Sequence, residues 1–534
     1  PDEAQRKYTA SATEQEIVLG ALQVPDAHEH VFGFFRTLAG RPQGAAAAGW
    51  IDLDAAGHVD EEAQARLQSL KEALDERLGA HVHHYRAAWT GSGASTEHLD
   101  ALCTDVYDRL SAVILAELSH LAQEDELERE VAAHRAFGEE RARTFTGRAA
   151  ALEALAAYLQ GSDGNPCAVW GASGSGKSAL LAEAAAQARR RHPAAEVIVR
   201  YCGATPDAAN GRALLWGLCR EISRRYGGDE GAPPDSDPAL AEGLARRLAL
   251  ATADKPLFVF IDALDQLQAA GPARRLAWLP PALPPHVRMV LSTAPGECLA
   301  ALEGRLPAAS LLQLGPMPAG EGAALLDRWL AGAGRTLQPE QRAEVLAGFA
   351  RCGLPLYLRL AYEEARRWRS YSGLPGLSDD IAGAIRGLLH RLSQESAHGP
   401  VLVSRSLGYL AAARYGLSED ELLDVLSQDA EVLADHRRRS PQSPRMARLP
   451  VVVWSRLYSD LQPYLAERSV DGAILLAFFH RQVGEVVAED YLGDEMGTRL
   501  HRALAQHFLG QPHWAQANGN RIPNRRQAAE MPFQ

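Results

Sequence analysis

Residues 166–181 read PCAVWGASGSGKSALL, and this stretch decides the fold. An apolar run ending at Trp170 leads into Gly171-Ala172-Ser173-Gly174-Ser175-Gly176-Lys177-Ser178, which fits the phosphate-loop pattern G-x-x-x-x-G-K-[ST] at every fixed position. The pattern predicts a strand before the loop and a helix after it, and SALLAEAAAQARRR supplies helical text. Glycines let such a loop aim backbone N–H groups at a phosphate, and the helix N-terminus adds partial positive charge. Ser178 offers a hydroxyl to Mg2+. Composition sharpens the reading of Lys177. The chain has four lysines, so 51 of its 55 basic residues are arginine, yet a compact ammonium stands where phosphates are to be reached.

Further short apolar runs follow at 196–201 (EVIVRY), 257–262 (LFVFID), 287–293 (VRMVLST) and 309–314 (ASLLQL), with helical text between most of them. Strands alternating with helices predict a parallel sheet covered on both faces. The expected fold class is therefore multidomain α/β and α. A partial α/β domain and the start of a linker helix occupy 1–125, a P-loop NTPase domain 126–320, a helical domain 321–395 and a winged-helix domain 396–495. The helical start of a repeat or sensor region occupies 496–534. The winged helix rests on a helix, a turn at Tyr415-Gly416 and a second helix opening with a capping box from Ser418 to Glu421. The apolar run AILLAFF (473–479) suits its wing. Toward the N-terminus, HVFGFFRT (30–37) and AHVHHYRA (80–87) read as strands and LAQEDELEREVAAHRAF (121–137) as a linker helix, while GGDEGAPPDSDP (227–238) reads as a surface loop.

At 534 residues the chain is long enough for several cores. Its net charge of -12 disfavours nucleic acid as a partner, and the Arg437–Arg439 run reads as a solvated cluster. Six scattered cysteines without a CxxC pair argue against a zinc site or a disulfide framework. No apolar run approaches the roughly 20 residues that span a bilayer and no secretory signal is visible, so no membrane partner is expected and the location reads as cytoplasmic.

The stretch LFVFIDALDQLQ (257–268) carries the second half of the chemistry. Asp262, at the end of an apolar strand, is placed to hold Mg2+ through water opposite Ser178. In fast P-loop ATPases a glutamate follows at once; here Ala263 follows, and the next acid is Asp265. Asp265 has three readings: orienting water, binding the metal, or capping a following helix.

Together, Gly171–Ser178 and IDALDQL resemble the NACHT clade of STAND ATPases, and more narrowly the telomerase-associated-protein and nephrocystin type. The order of TFTGR (144–148), CGLPLYLRLAYEEAR (352–366), RYGLSEDELL (414–423) and FFHRQVGEVV (478–487) extends the resemblance over nearly the whole chain. The resemblance implies a bound ATP or ADP with Mg2+, with TFTGR over the adenine, Arg148 nearby and Pro355 against base or ribose. His480 then points at the β-phosphate from the winged helix. Read alone, Pro355 starts a helix and His480 is a core residue. Ala294 stands where many relatives carry a sensor arginine, leaving Ser292 and Thr293 as the polar sensor groups, and Gln266 replaces another acid. Both departures point to slow turnover or none. The N-terminal part resembles the second half of a TIR-like domain. Glu16 is the nearest match to its glutamate, but its spacing from Tyr8 is not the usual one, a capping box from Thr13 to Glu16 explains it as well, and no activity is expected.

The expected function is a nucleotide-binding signal-transduction switch that self-associates on sensing a trigger, expected to be a protein, and so activates an N-terminal effector. Arginine- and alanine-rich composition suggests a GC-rich bacterium, where such proteins serve in antiphage or other conflict defence. The rivals are an AAA+-like remodelling motor and a nucleotide-stabilised scaffold.

Overall fold

The computed structural model describes residues 10–40, 49–54, 56–91, 93–123, 125–267, 274–371, 376–442, 444, 446–470, 473–517 and 520–534. The chain divides into two compact units, Pro1–Glu124 and Asp125–Gln534.

In the first unit, strands β1 (Gly33–Ala39) and β2 (Val82–Ala88) pair in parallel from Gly33↔Val82 to Ala39↔Ala88. A parallel pair needs a crossover, and helix α1 (Glu61–Leu78) lies between the two strands in sequence, started by Asp60, whose carboxylate accepts from Ala63 N. Its Leu74 and Leu78 join Ala21 and Ala27 in a small core. The short helix Ala12–Ile17 is capped by Ser11, which accepts from Glu14 N, so in place of the expected box from Thr13 to Glu16 there is a single side-chain cap two residues earlier. Tyr8 lies outside the described residues. Helix α2 (Leu99–Gln123) closes the unit. The linker expected over 121–137 is not continuous with it: Asp125 accepts from Leu127 N and starts a new helix, α3 (Glu126–Ala142).

The second unit is built on a five-stranded sheet in the order β4-β5-β6-β3-β7, every neighbouring pair parallel. The strands are β3 (Cys167–Trp170), β4 (Glu196–Tyr201), β5 (Leu257–Asp262), β6 (Val287–Thr293) and β7 (Leu311–Gln313). Helix α4 (Ala149–Gln160) precedes β3, and α5 (Lys177–Arg191) follows the phosphate loop. Because side chains alternate along a strand, Leu257, Val259 and Ile261 bury into one core, with Leu218, Ile222 and Leu244. Phe258 and Phe260 bury into the other, with Leu180 and Leu181 of α5. Both faces are covered by helices, as the apolar strands demanded.

Beyond β7 the chain is mainly helical. After helices Ala319–Gly332 and Pro339–Cys352 come helix α6 (Pro355–Ala365), the helix-turn-helix pair α7 (Pro400–Ala412) and α8 (Glu419–Gln428), and the antiparallel hairpin β8 (Leu465–Val470) and β9 (Ala473–Phe478). Helices α9 (Arg481–Tyr491) and α10 (Asp494–Leu509) follow. The capping box at Ser418 forms: Glu421 N donates to Ser418 Oγ at 3.1 Å and Ser418 N to Glu421 Oε2 at 2.8 Å. One core runs from Met317 to Phe508, so the segments taken as separate helical and winged-helix domains share their apolar interior. A boundary at 495 falls inside α10, whose Leu500, Leu504 and Phe508 belong to that core. After α10 come a hairpin, β10 (Trp514–Ala517) with β11 (Asn520–Pro523), and a short helix whose Arg526 ion-pairs with Glu421. No helix among the described residues is long and apolar enough to cross a membrane.

Candidate functional site

The phosphate loop leaves β3 and enters α5 through two left-handed glycines, Gly174 at φ +81° and Gly176 at φ +92°. L side chains rarely adopt that backbone, which is why the pattern needs glycine here. At Gly174 space forbids a side chain as well, since a Cβ would lie 2.8 Å from Leu356 Cβ. Ser175 Oγ is buried with no hydrogen-bond partner among the described residues. Lys177 Nζ donates to the carbonyls of Gly171 and Ala172, at 2.8 and 2.9 Å. Burial lowers its pKa, the nearby Asp262 and Asp265 carboxylates oppose this, and Arg481 adds to it.

Parity places the acid. Asp262 follows Phe258 and Phe260 on the face of β5 that carries α5, so it meets the start of that helix. The hydroxyls of Ser178 and Ser292 both hydrogen-bond to its carboxylate, Ser292 Oγ at 2.5 Å. Burial pushes the Asp262 carboxyl up, while these hydroxyls and the charges of Lys177 and Arg141 pull it down. Ser292 Oγ also accepts from Ala263 N at 2.8 Å. Ala263 is left-handed at φ 57°, unusual for a residue with a Cβ and easiest for a small one. That turn explains the spacing of the two acids, because it redirects the chain so that Asp265, in the single turn Leu264–Gln266, faces the end of β6. Asp265 Oδ1 accepts from Ala294 N at 2.9 Å and Oδ2 from Arg481 Nη1 at 3.1 Å, so its carboxylate links the end of β6 to the winged helix; residues 268–273, where a following helix would lie, are outside the described residues.

The expected sensor pair is split by the same parity. Ser292 shares a face with Asp262, whereas Thr293 points to the opposite face and donates to its neighbour Ala294 O at 3.0 Å. Arg148 braces the loop from behind: its guanidinium donates to Ser175 O at 3.0 Å and Gly315 O at 2.8 Å, and its backbone N to Glu321 Oε2 at 2.8 Å. Burial lowers its pKa, with Glu321 opposing. Pro355 is the first residue of α6 and lies 3.7 Å from where a Cβ on Gly176 would be, so it both starts a helix and abuts the loop. Leu356 N donates to Gly174 O at 3.3 Å.

The first turn of α9 lies over this site. His480, its N-cap, accepts from Gln482 N at 3.2 Å. Burial pushes the imidazole down to about 4, with Arg141, Arg481 and Lys177 adding to the shift. Gln482 Oε1 lies 3.5 Å from where a Cβ on Gly174 would sit, and it too is buried without a partner among the described residues. Two consecutive residues of the winged helix, Arg481 and Gln482, thus face Asp265 and Gly174, and His480 beside them feels the charge of Lys177. Sequence reading found His480 through its resemblance and missed Arg481 and Gln482, although their adjacency to His480 was the available signal.

This donor set fits a nucleotide phosphate with Mg2+. The loop offers left-handed glycines, an orphaned hydroxyl and an ammonium, and Ser178 and Asp262 present hard oxygens side by side. When bound, Mg2+ neutralises phosphate charge and polarises the terminal bond.

Residues 144–291 match the family model for the AAA ATPase domain, and residues 373–499 match the NWD1-like, winged helix-turn-helix domain. The chain is 33% identical over 87% of its length to NACHT domain- and WD repeat-containing protein 1 of Homo sapiens, covering 31% of that protein. It is 32% identical over 65% of its length to NACHT and WD repeat domain-containing protein 2 of Mus musculus, covering 20% of it. Telomerase protein component 1 of Rattus norvegicus is 25% identical over 69% of the chain, with 15% of that protein covered. The chain spans about a third or less of the length of the curated relatives it matches.

Proposed function

We propose, for a chain that belongs among the NACHT-type P-loop NTPases with an NWD1-like winged helix, a signal-transduction switch. ATP or ADP with Mg2+ lies between the phosphate loop and the first turn of α9, and exchange of nucleotide releases the winged helix. Release permits self-association and activation of an N-terminal effector. The observation that carries this reading is the reach of α9 across the site, which sets His480 against the charge of Lys177 and Arg481 on Asp265. A nucleotide in that place touches both domains at once, and a ligand shifts a conformational balance only by its differential affinity for the two states.

Phosphate binding falls to Lys177 and the loop N–H groups, metal placement to Ser178 and Asp262, and alignment of Asp262 to Ser292. Asp265 is the remaining acid near the terminal phosphate. Its carboxylate is committed to Ala294 N and Arg481, which accords with slow turnover or none. The setting we assign is conflict defence against phage, with a protein trigger. Hydrodynamic size and protease sensitivity, measured with ATP, with ADP and in Lys177→Ala, test the switch; identical values in all three conditions would sink it. Phage challenge with and without the gene tests the setting.

A further inference from the structure

Ala294 brings no charge of its own to the end of β6, and the two arginines that line the cavity beside it, Arg274 and Arg481, are already engaged. Arg481 is already neutralised by two carboxylates, Asp265 at 3.1 Å and Glu485 at 2.9 Å. Arg141, in the last turn of α3, is in a different position. Its guanidinium lies 3.4 Å above the ring of Phe137, and Phe137 packs against Tyr201 with ring centroids 4.8 Å apart. Tyr201 is the register partner of Asp262 across β4 and β5, and like Asp262 it lies on the face that carries α5. This stack carries Arg141 from a neighbouring helix to the edge of the metal-side acid.

The carboxylate nearest Arg141 is its exposed neighbour Glu140, at 3.8 Å. Its charge is felt at Asp262, at His480 and at Arg468 of β8. Among the described residues no carboxylate pairs with Arg468. Two guanidiniums that repel one another, in a place where burial lowers both pKa values, are relieved by an anion between them or beside one of them. The groups of negative sign that a nucleotide carries are its phosphates.

We propose that Arg141 binds the terminal phosphate of ATP, supplying from α3 a charge that Ala294 does not. The inference rests on the reading of this site as a nucleotide site and deepens it, for it makes Arg141 the residue that tells a triphosphate from a diphosphate. Phe137 holds the guanidinium plane, and Arg468 adds positive potential from the winged-helix side.

The test is calorimetric titration of the purified chain with ATP, a non-hydrolysable ATP analogue and ADP, each with Mg2+, on the wild type, Arg141→Met and Arg141→Lys. Methionine keeps an apolar stem on Phe137 and removes the charge; thermal melting checks that both variants fold. Loss of one charged hydrogen bond predicts that Arg141→Met binds ATP and the analogue about ten- to a hundredfold more weakly, with ADP changed by less than about threefold. Lysine is expected to restore part of the loss. Equal weakening toward ATP and ADP assigns Arg141 a purely structural part and overturns the proposal, as does an unchanged ATP affinity. The switch reading fails on other grounds, by nucleotide-independent size and proteolysis.

Discussion

Arg481 Nη1 donates to Asp265 Oδ2 at 3.1 Å, joining the winged helix to the second acid of the ATPase across 216 positions of sequence. In the switch proposed above, the second acid is held by the domain that is released, so closure and restraint of turnover would act through one ion pair.

Arg481→Ala is expected to loosen that closure. The pair is partly exposed, and such pairs contribute about 0.5–1 kcal/mol, so the ratio of closed to open forms falls about two- to fivefold. Faster limited proteolysis of nucleotide-free protein reads this directly. Arg481→Lys, which keeps the charge, is expected to lie between the variant and the wild type.

Ser292 and Thr293 are adjacent yet differ in consequence. Ser292→Ala takes one of two hydroxyl donors from Asp262 and orphans the Ala263 N–H in a fully buried place, at about 1–3 kcal/mol for the N–H, and is expected to weaken Mg2+-dependent nucleotide binding. Thr293→Val removes a bond to a neighbouring carbonyl and is expected to cost about 1 kcal/mol with nucleotide affinity unchanged. Chemical denaturation and nucleotide titration of the two variants check the contrast, and equal effects would refute the division by strand face.

Gly174→Ala combines a positive φ with a 2.8 Å approach to Leu356 and is expected to abolish nucleotide binding. Gly217, within the helix Gly211–Tyr226, is the control: a Cβ there meets nothing within 4 Å. Gly217→Ala is expected to raise stability by about 0.5–1 kcal/mol, read as a higher denaturation midpoint.

His480 predicts an acid-sensitive closure. Its enclosed pKa of about 4 lies below the ordinary 6.5, because burial and the charges of Arg141 on α3, Arg481 on α9 and Lys177 on α5 all disfavour the imidazolium. A released His480 binds a proton more readily than an enclosed one. Closure is therefore at full strength above about pH 6.5 and weakens as the pH falls toward 4, by up to about 3 kcal/mol. Proteolysis of nucleotide-free protein between pH 7.5 and 5 is expected to speed up on acidification, and His480→Gln to flatten that dependence.

The sequence by itself determined the sheet, the phosphate loop and its metal-side acid. Each is written locally: glycine where the backbone turns left-handed, a lysine in an arginine-rich chain, and apolar runs whose alternation puts Asp262 beside Ser178. The capping box at Ser418 was legible for the same reason, since both partners lie within one helical turn. Tertiary structure alone decided which groups share the site. Arg141 arrives through a stack on Phe137 and Tyr201, and Arg481 crosses from another domain to Asp265. Arg148, expected near the adenine, grips the carbonyls of Ser175 and Gly315. Among 51 arginines no local pattern marks the few that matter, because their role depends on which carboxylates and carbonyls lie within about 4 Å once the chain has packed, and sequence spacing does not record that distance.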